Sequence, residues 1–460
     1  MLFPTVTFAV FFLIVLPVSW VLMPRERTWR IWILLASYVF YAWWNWHFVV
    51  LLAASTVVNH VLAVAIHRTR GGGARRALLS LAVAFDLGLL AYFKYAGFFV
   101  TSADNLLGTS WIVNVTLPVG ISFYTFMAIS YVVDTYRREL VPASFARFAV
   151  FQAFFPHLVA GPIVRASELL PQLEKPRDPR TVNTSRAFFL IVSGLFLKVV
   201  IANHLATHIV DDVFAAPNRH SSLEVLVAVY GYAVQIFADF CGYTNIAIGV
   251  ALLLGFEFPQ NFNSPYAAVS LQDFWRRWHM TLSRWLRDYL YIPLGGNRKG
   301  ELLTYRNLLA TMLLGGLWHG AAWTFVAWGG IHGLGLAIER LVGWRPTTRA
   351  AQWFGRVLTF HVVCFGWIFF RADSFGRAGQ VLERLVTAWG RPSPLVTTSV
   401  VLAILVGIVG QYVRPGAVGS LVSGFQRLPV VAQAACVGVA LMVINTLGPE
   451  GVAPFIYFRF

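Results

Sequence analysis

The chain has 460 residues, 58% of them hydrophobic and only 12% charged, where a soluble domain carries about 25% charge. Together with 38 Phe, 17 Trp and 16 Tyr, this excludes a soluble core and fits a protein whose outer surface faces lipid. The net charge of +16 arises from 36 Lys+Arg against 20 Asp+Glu; no nucleic-acid-binding module accompanies it, so the excess is assigned to membrane-flanking loops.

A bilayer core needs roughly 20 apolar helical residues per crossing. Apolar stretches recur at 5–23, 30–46, 48–66, 77–100, 117–133, 187–209, 223–255, 303–319, 323–340, 352–371, 397–412 and 429–447, with no long polar linker between them. They predict an all-α polytopic membrane protein of about 11–12 transmembrane helices in one membrane domain, residues 1–460. The first stretch has no basic segment before it and reads as a retained helix, not a cleaved signal. The stretch 223–255 exceeds one straight crossing, and a break at Gly242 is expected. Cys241, Cys364 and Cys436 lie far apart in apolar runs, so neither a disulfide framework nor a cysteine metal site is expected.

The Arg-rich loops 24–30, 67–76 and 135–147 alternate with the neutral or acidic connections 101–114 and 211–222. Positive-inside reasoning puts the three basic loops in the cytoplasm and the N-terminus outside. Two segments depart from ordinary spans. Residues 148–161 are apolar but short, with basic flanks, and predict a re-entrant or interfacial helix. Residues 273–291, DFWRRWHMTLSRWLRDYLY, place Trp275, Trp278, Leu282, Trp285, Leu286 and Tyr289 on one helical face and Arg276, Arg277, Arg284 and Arg287 opposite. That pattern predicts a single amphipathic helix lying in the membrane plane.

Ionisable or polar groups at membrane depth are costly, so each one invites a functional reading. The richest segment is 315–335, GGLWHGAAWTFVAWGGIHGLG, which holds His319 and His332 among glycines and tryptophans without a formal charge. Glycine admits close approach, tryptophan supplies flat apolar walls, and a neutral imidazole tolerates burial and serves as a general base. Trp318 and Trp323 are the candidate walls within the segment, and Trp278 outside it. The alternative is that both histidines merely hydrogen-bond between helices. Their spacing of 13 puts them on nearly opposite faces of a continuous helix, so a shared site requires the chain to turn, with Gly329–Gly330 the expected place.

His279 falls at the border of the apolar and basic faces of the amphipathic segment, where a site role and an interfacial role both fit. His157 lies in FFPHLVAGP, whose prolines and glycine interrupt helix; such backbone at membrane depth lines a cavity or is buried in protein. Asn297, in the turn PLGGN, is a further candidate for contact with a polar ligand. His204 and His208 are four residues apart, a spacing able to hold a metal, yet no fixed third ligand accompanies them and no metal is assigned.

The segments FFPHLVAGPIVR, DFWRRWHMTLSRWLRDYLYIPLGGNRKG and TYRNLLATMLLGGLWHGAAWTFVAWGGIHG, with VTLPVGISFYTF near residue 120 and the terminal PFIYFRF, resemble the membrane-bound O-acyltransferase superfamily. Within it they are most similar to the branch serving bacterial alginate O-acetylation. The resemblance spans nearly the whole chain, with a central catalytic block at about 148–340. It implies a ring of tilted and re-entrant helices around a thin central cavity. It also implies an essential His319 on the WHG segment acting as general base, and a supporting His279, where Thr281 departs from the family's RWHxSLS-type pattern.

Further implications are acetyl-CoA as cytoplasmic co-substrate without a bound cofactor, and transfer of acetyl across a bacterial inner membrane. A periplasmic acyltransferase partner would then O-acetylate an exported polysaccharide, alginate being favoured. Membrane lipid is expected around the protein, and nucleic acid is not a partner. The competing class is a transporter or flippase of an acetyl carrier or polysaccharide precursor. Buried acids and histidines would suit its proton relay, but no internal repeat of the kind many transporters carry is found.

Overall fold

Hydrocarbon offers no partner for a backbone N–H or C=O, so a chain this apolar must satisfy its backbone within each segment. The computed structural model, which describes residues 1–111, 113, 115–175 and 177–449, is accordingly helical, with no strand among those residues. The PFIYFRF motif lies outside the described residues.

Among the described residues, six helices are long and apolar enough to cross a membrane: His47–Arg68, Gly72–Asp104, Thr184–Ala215, Ser222–Leu253, Arg349–Arg371 and Val430–Leu447. Counting the sharply bent pair Thr398–Tyr412 and Gly416–Gln426 as one broken span makes seven. Several apolar stretches of the sequence thus fold as shorter helices, such as Val6–Leu22, or as helices interrupted by polar side chains, such as Glu301–His319.

The residues form two compact units, one of Met1–Ala187 with Ala247–Pro259, the other of Phe188–Ile246 with the chain from Gln260 onward. In the first unit, helix Ile121–Arg137 is buried along most of its length. It packs against His47–Arg68 and Gly72–Leu90, whose Asn59 and Asp86 are paired at 2.8 Å in the interior.

The three Arg-rich loops of this unit are joined to one another, as the expectation that they share one side of a membrane allows. Arg75 donates to the Tyr136 carbonyl, and Arg147 donates to Glu26 at 3.1 Å. Residues 148–164 are all buried, and their helix breaks at Phe154 before the one-turn helix Phe155–Leu158. The re-entrant expectation thus becomes a segment enclosed by protein, which supplies the partners its irregular backbone needs.

The second unit holds all but the ends of two long helices; Thr184–Ala215 is one rod carrying two π-helical segments, Phe196–Ala202 and Ala206–Val210. Helix Ser222–Leu253 runs through Gly242 without a break, contrary to the expected interruption. Its 32 residues reach about 48 Å at 1.5 Å per residue, so it must tilt or project beyond a core of about 30 Å. Gly242 serves close approach instead. A Cβ there would lie 2.6 Å from the Gly194 carbonyl oxygen and 3.0 Å from the Lys198 backbone nitrogen. At this contact Lys198 and Asp239, both buried, form an ion pair at 2.5 Å.

Gly242→Ala is therefore expected to destabilise the protein by about 1–3 kcal/mol, the cost of overpacking. Gly88→Ala, whose Cβ would meet nothing within 4 Å, should be neutral or slightly stabilising. Thermal unfolding of the two variants in detergent compares them directly.

Candidate active site

Helices Glu301–His319 and Trp323–Leu341 are the most closely packed pair in the second unit. The reason lies in two glycines. A Cβ on Gly316 would fall on the Phe325 carbonyl oxygen, and one on Gly329 on that of Met312. The chain reverses at Gly320–Ala322, where both bounding residues are extended, and not at Gly329–Gly330 as the sequence suggested. Those two glycines sit inside a continuous helix, and at Gly329 the contact with the facing backbone, not a bend, demands the small size.

His319 is thereby the last residue of its helix, 3% exposed. Its ring stands 5.0 Å from Trp318, 5.1 Å from Trp328 and 5.4 Å from Phe370, centroid to centroid. Trp328 in turn lies 5.0 Å from the His332 ring, so the two histidines flank one indole. His332 is fully buried, sits 6.0 Å over Phe274 in a stacked arrangement, and its ring nitrogens have no hydrogen-bond partner among the described residues. Gly366 permits this packing, since a Cβ there would stand 3.1 Å from His332 Nε2 and 3.3 Å from Trp328 Cδ1.

The segment 273–291 corrects the expected single amphipathic helix. It forms two short helices, Leu271–Arg277 and Met280–Leu286, followed by a π-helical turn, Arg287–Tyr291. Ser270 Oγ accepts from the Asp273 N–H at 3.0 Å, and the Glu339 carboxylate accepts from the N–H groups of Leu271 and Gln272 at 2.5 and 3.1 Å. These bonds tie the first short helix to Trp323–Leu341. Between the two helices Trp278 is extended and His279 adopts φ 43°, a left-handed conformation uncommon outside glycine. The break turns His279 inward from the interfacial border to complete burial, 6.3 Å from the His319 ring and 4.7 Å from that of Phe240.

Asn261 anchors the break. Its Oδ1 accepts from the Thr281 N–H at 3.2 Å and the Thr281 hydroxyl at 2.9 Å, and lies 3.2 Å from His279 Nδ1. The surrounding wall is aromatic. Trp278 packs on Trp367 at 5.1 Å, and Trp367 stacks on Trp328 at 5.7 Å.

Of the residues singled out by sequence, the structure brings together His319, His279, His332, Trp318 and Trp278. It does not add Trp323, which is 57% exposed at the start of its helix, nor Asn297, on an exposed turn. His157 belongs to the first unit, where its Nε2 meets the Phe151 carbonyl at 2.8 Å and its ring stacks on Phe258. Trp328, Trp367, Phe370, Phe240 and Asn261 escaped the sequence reading as site residues. The aromatics carry no signal that separates a site wall from a lipid-facing stripe, and Asn261 lies in GFEFPQNFNSPY, a loop whose polar residues fit contact with a polar ligand without singling out any one of them. His204 and His208 stack on each other at 4.0 Å, and among the described residues no three His, Cys, Asp or Glu side chains cluster for a metal.

The family model for the membrane-bound O-acyltransferase family matches residues 30–373. A probable alginate O-acetylase AlgI of Pseudomonas putida is 38% identical over 463 residues, covering 93% of this chain and 94% of that protein. The corresponding Pseudomonas aeruginosa protein is 43% identical over 372 residues, 78% of this chain and 70% of that one. A peptidoglycan O-acetyltransferase of Helicobacter pylori is 39% identical over 391 residues, 78% and 73% of the two chains. The chain belongs to the membrane-bound O-acyltransferase family, is an acyltransferase of that family, and spans a membrane several times. That decides between acyl transfer and the transporter reading.

The glycine contact makes a sharp prediction about neighbouring positions. Gly329→Ala should separate the helix pair and lower acyl transfer and thermal stability together. Gly330→Ala, whose Cβ would meet only Leu313 Cδ2 at 3.5 Å, should leave both near wild type. Acetyl transfer per membrane-inserted molecule, measured beside the unfolding midpoint, tests the pair.

Proposed function

We propose that this member of the membrane-bound O-acyltransferase family takes acetyl from acetyl-CoA at the cytoplasmic face of a bacterial inner membrane and delivers it outward. A periplasmic acyltransferase partner then O-acetylates an exported polysaccharide, with alginate the favoured polymer. The observation that carries this reading is His319: an imidazole at the end of a helix, buried among Trp318, Trp328 and Phe370, with a second imidazole 6.3 Å away. Relatives named for alginate and for peptidoglycan O-acetylation both act on polymers rich in sugar hydroxyls, which supports a hydroxyl acceptor and an exported glycan. The joined Arg-rich loops supply a basic face suited to the phosphates of coenzyme A.

In the reaction, His319 takes the proton of the acceptor hydroxyl as its oxygen bonds to the thioester carbonyl carbon. The tetrahedral intermediate collapses, the carbon–sulfur bond breaks, and the proton passes from His319 to the departing thiolate, which leaves as coenzyme A. A dry aromatic wall keeps water from competing for the acetyl group. General-base catalysis contributes about 10²–10⁴-fold, and positioning of donor and acceptor supplies the remainder.

His319→Ala is expected to lower acetylation by at least about 10²-fold with normal membrane abundance. His332→Ala, acting through Trp328, should cost less. The measurement is acetyl content of the exported polymer, with consumption of labelled acetyl-CoA by membranes alongside. Survival of acetylation in well-folded His319→Ala would remove the base assignment, and absence of acetyl-CoA consumption by wild-type membranes would remove acetyl-CoA as the donor.

A further inference from the structure

The second histidine has a partner that settles what it can do chemically. Asn261 is 1% exposed and sits in a loop paired with the break between the two short helices. Its carbonyl accepts from the Met280 N–H at 2.9 Å, and the Asn263 N–H donates to the Arg277 carbonyl at 2.9 Å. The atom facing Thr281 must be the amide oxygen, because the Thr281 backbone N–H is a donor without alternative. The same oxygen lies 3.2 Å from His279 Nδ1, and two acceptors do not bond to one another. Nδ1 therefore carries the proton. In the neutral ring Nε2 is then a bare lone pair, a hydrogen-bond acceptor. Nε2 is buried with no hydrogen-bond partner among the described residues. Against the ring lie Phe240, Trp318, Thr281 and the titratable His319.

We propose that Asn261 is a positioning residue that locks His279 in the Nδ1–H tautomer, so that Nε2 accepts a hydrogen bond from an O–H or N–H group of the bound substrate and orients it for His319. In this tautomer the neutral His279 does not donate to the oxyanion of the tetrahedral intermediate. Its contribution is to hold the substrate, not to neutralise developing charge. The left-handed backbone at His279 fits this role, since three bonds to one amide oxygen hold a conformation that histidine does not favour. The inference rests on the acyl-transfer reading for its substrate, but the tautomer lock can be read without any substrate.

The test uses the full-length protein in lipid bilayers. Histidine-labelled protein is examined by ¹⁵N solid-state NMR, with the His279 signal identified by its loss in His279→Gln. The expected result is a protonated Nδ1 and bare Nε2 in wild type, and a mixture of tautomers in Asn261→Ala. Acetyl transfer by Asn261→Ala should fall by about 10–100-fold at normal abundance, on the scale of removing a partner that orients a metal-bound histidine.

Asn261→Asp keeps all three acceptor bonds and so guards against misfolding. Its carboxylate favours the charged imidazolium, which donates at Nε2. Transfer by this variant should approach wild type at high pH, with the acidic limb of its rate–pH profile moved to higher pH. A wild-type His279 protonated on Nε2 would overturn the proposal, as would a tautomer unchanged in Asn261→Ala or an unmoved profile in Asn261→Asp. If the tautomer pattern holds while wild type transfers no acetyl, the acetyl-transfer reading fails and the lock stands.

Discussion

A methyl group on Gly316 or Gly329 would fall on a carbonyl oxygen of the facing helix, so helices Glu301–His319 and Trp323–Leu341 meet backbone to backbone. In lipid there is no hydrophobic drive to bring two helices together, and close van der Waals packing through small residues takes its place. Much of the candidate site follows from that contact. It puts Trp328 against His319 on one side and His332 on the other, and it leaves room for Trp367 and Phe370 to close the aromatic wall. The carboxylate of Glu339, at the far end of the same helix, fixes the start of Leu271–Arg277 and hence the approach of Trp278 and His279.

Irregular backbone occurs where protein encloses it. The break at Phe154 lies within a wholly buried segment, and the break at Trp278–His279 is pinned by Asn261. A non-helical residue facing lipid would leave its polar groups without partners; inside the protein, side-chain amides and neighbouring carbonyls supply them. The left-handed backbone at His279 aims its side chain in a direction its helix would not allow.

The buried charges follow a similar economy. Lys198 and Asp239 meet at the Gly194–Gly242 contact, and Asp86 is held by Asn59. A buried ion pair is no reliable source of stability, because desolvation offsets the attraction, yet removing one partner strands the other in a low-dielectric interior. Such pairs make the packing of particular helices specific: only the register that brings Lys198 opposite Asp239 avoids an isolated charge.

Composition and hydropathy alone determined that the chain is helical and membrane-embedded, because hydrocarbon permits little else, and the Arg-rich loops marked which connections share a side. The Gly/Trp/His segment was legible as a tight pocket, since few other residues combine close approach, flat walls and a titratable ring. Three features were not legible. The reversal falls at Gly320 and not at Gly329–Gly330, since a glycine for bending and a glycine for packing read the same in sequence. Gly242 packs where a break was expected, for the same reason. The amphipathic period of 273–291 persists on both sides of His279, so the pattern hides a break that exists only because Asn261, eighteen residues away, supplies an oxygen for three donors. Periodicity records which face of a segment is apolar. Which residue leaves the helix to enter the site is decided by partners distant in sequence, and those meet only in the folded chain.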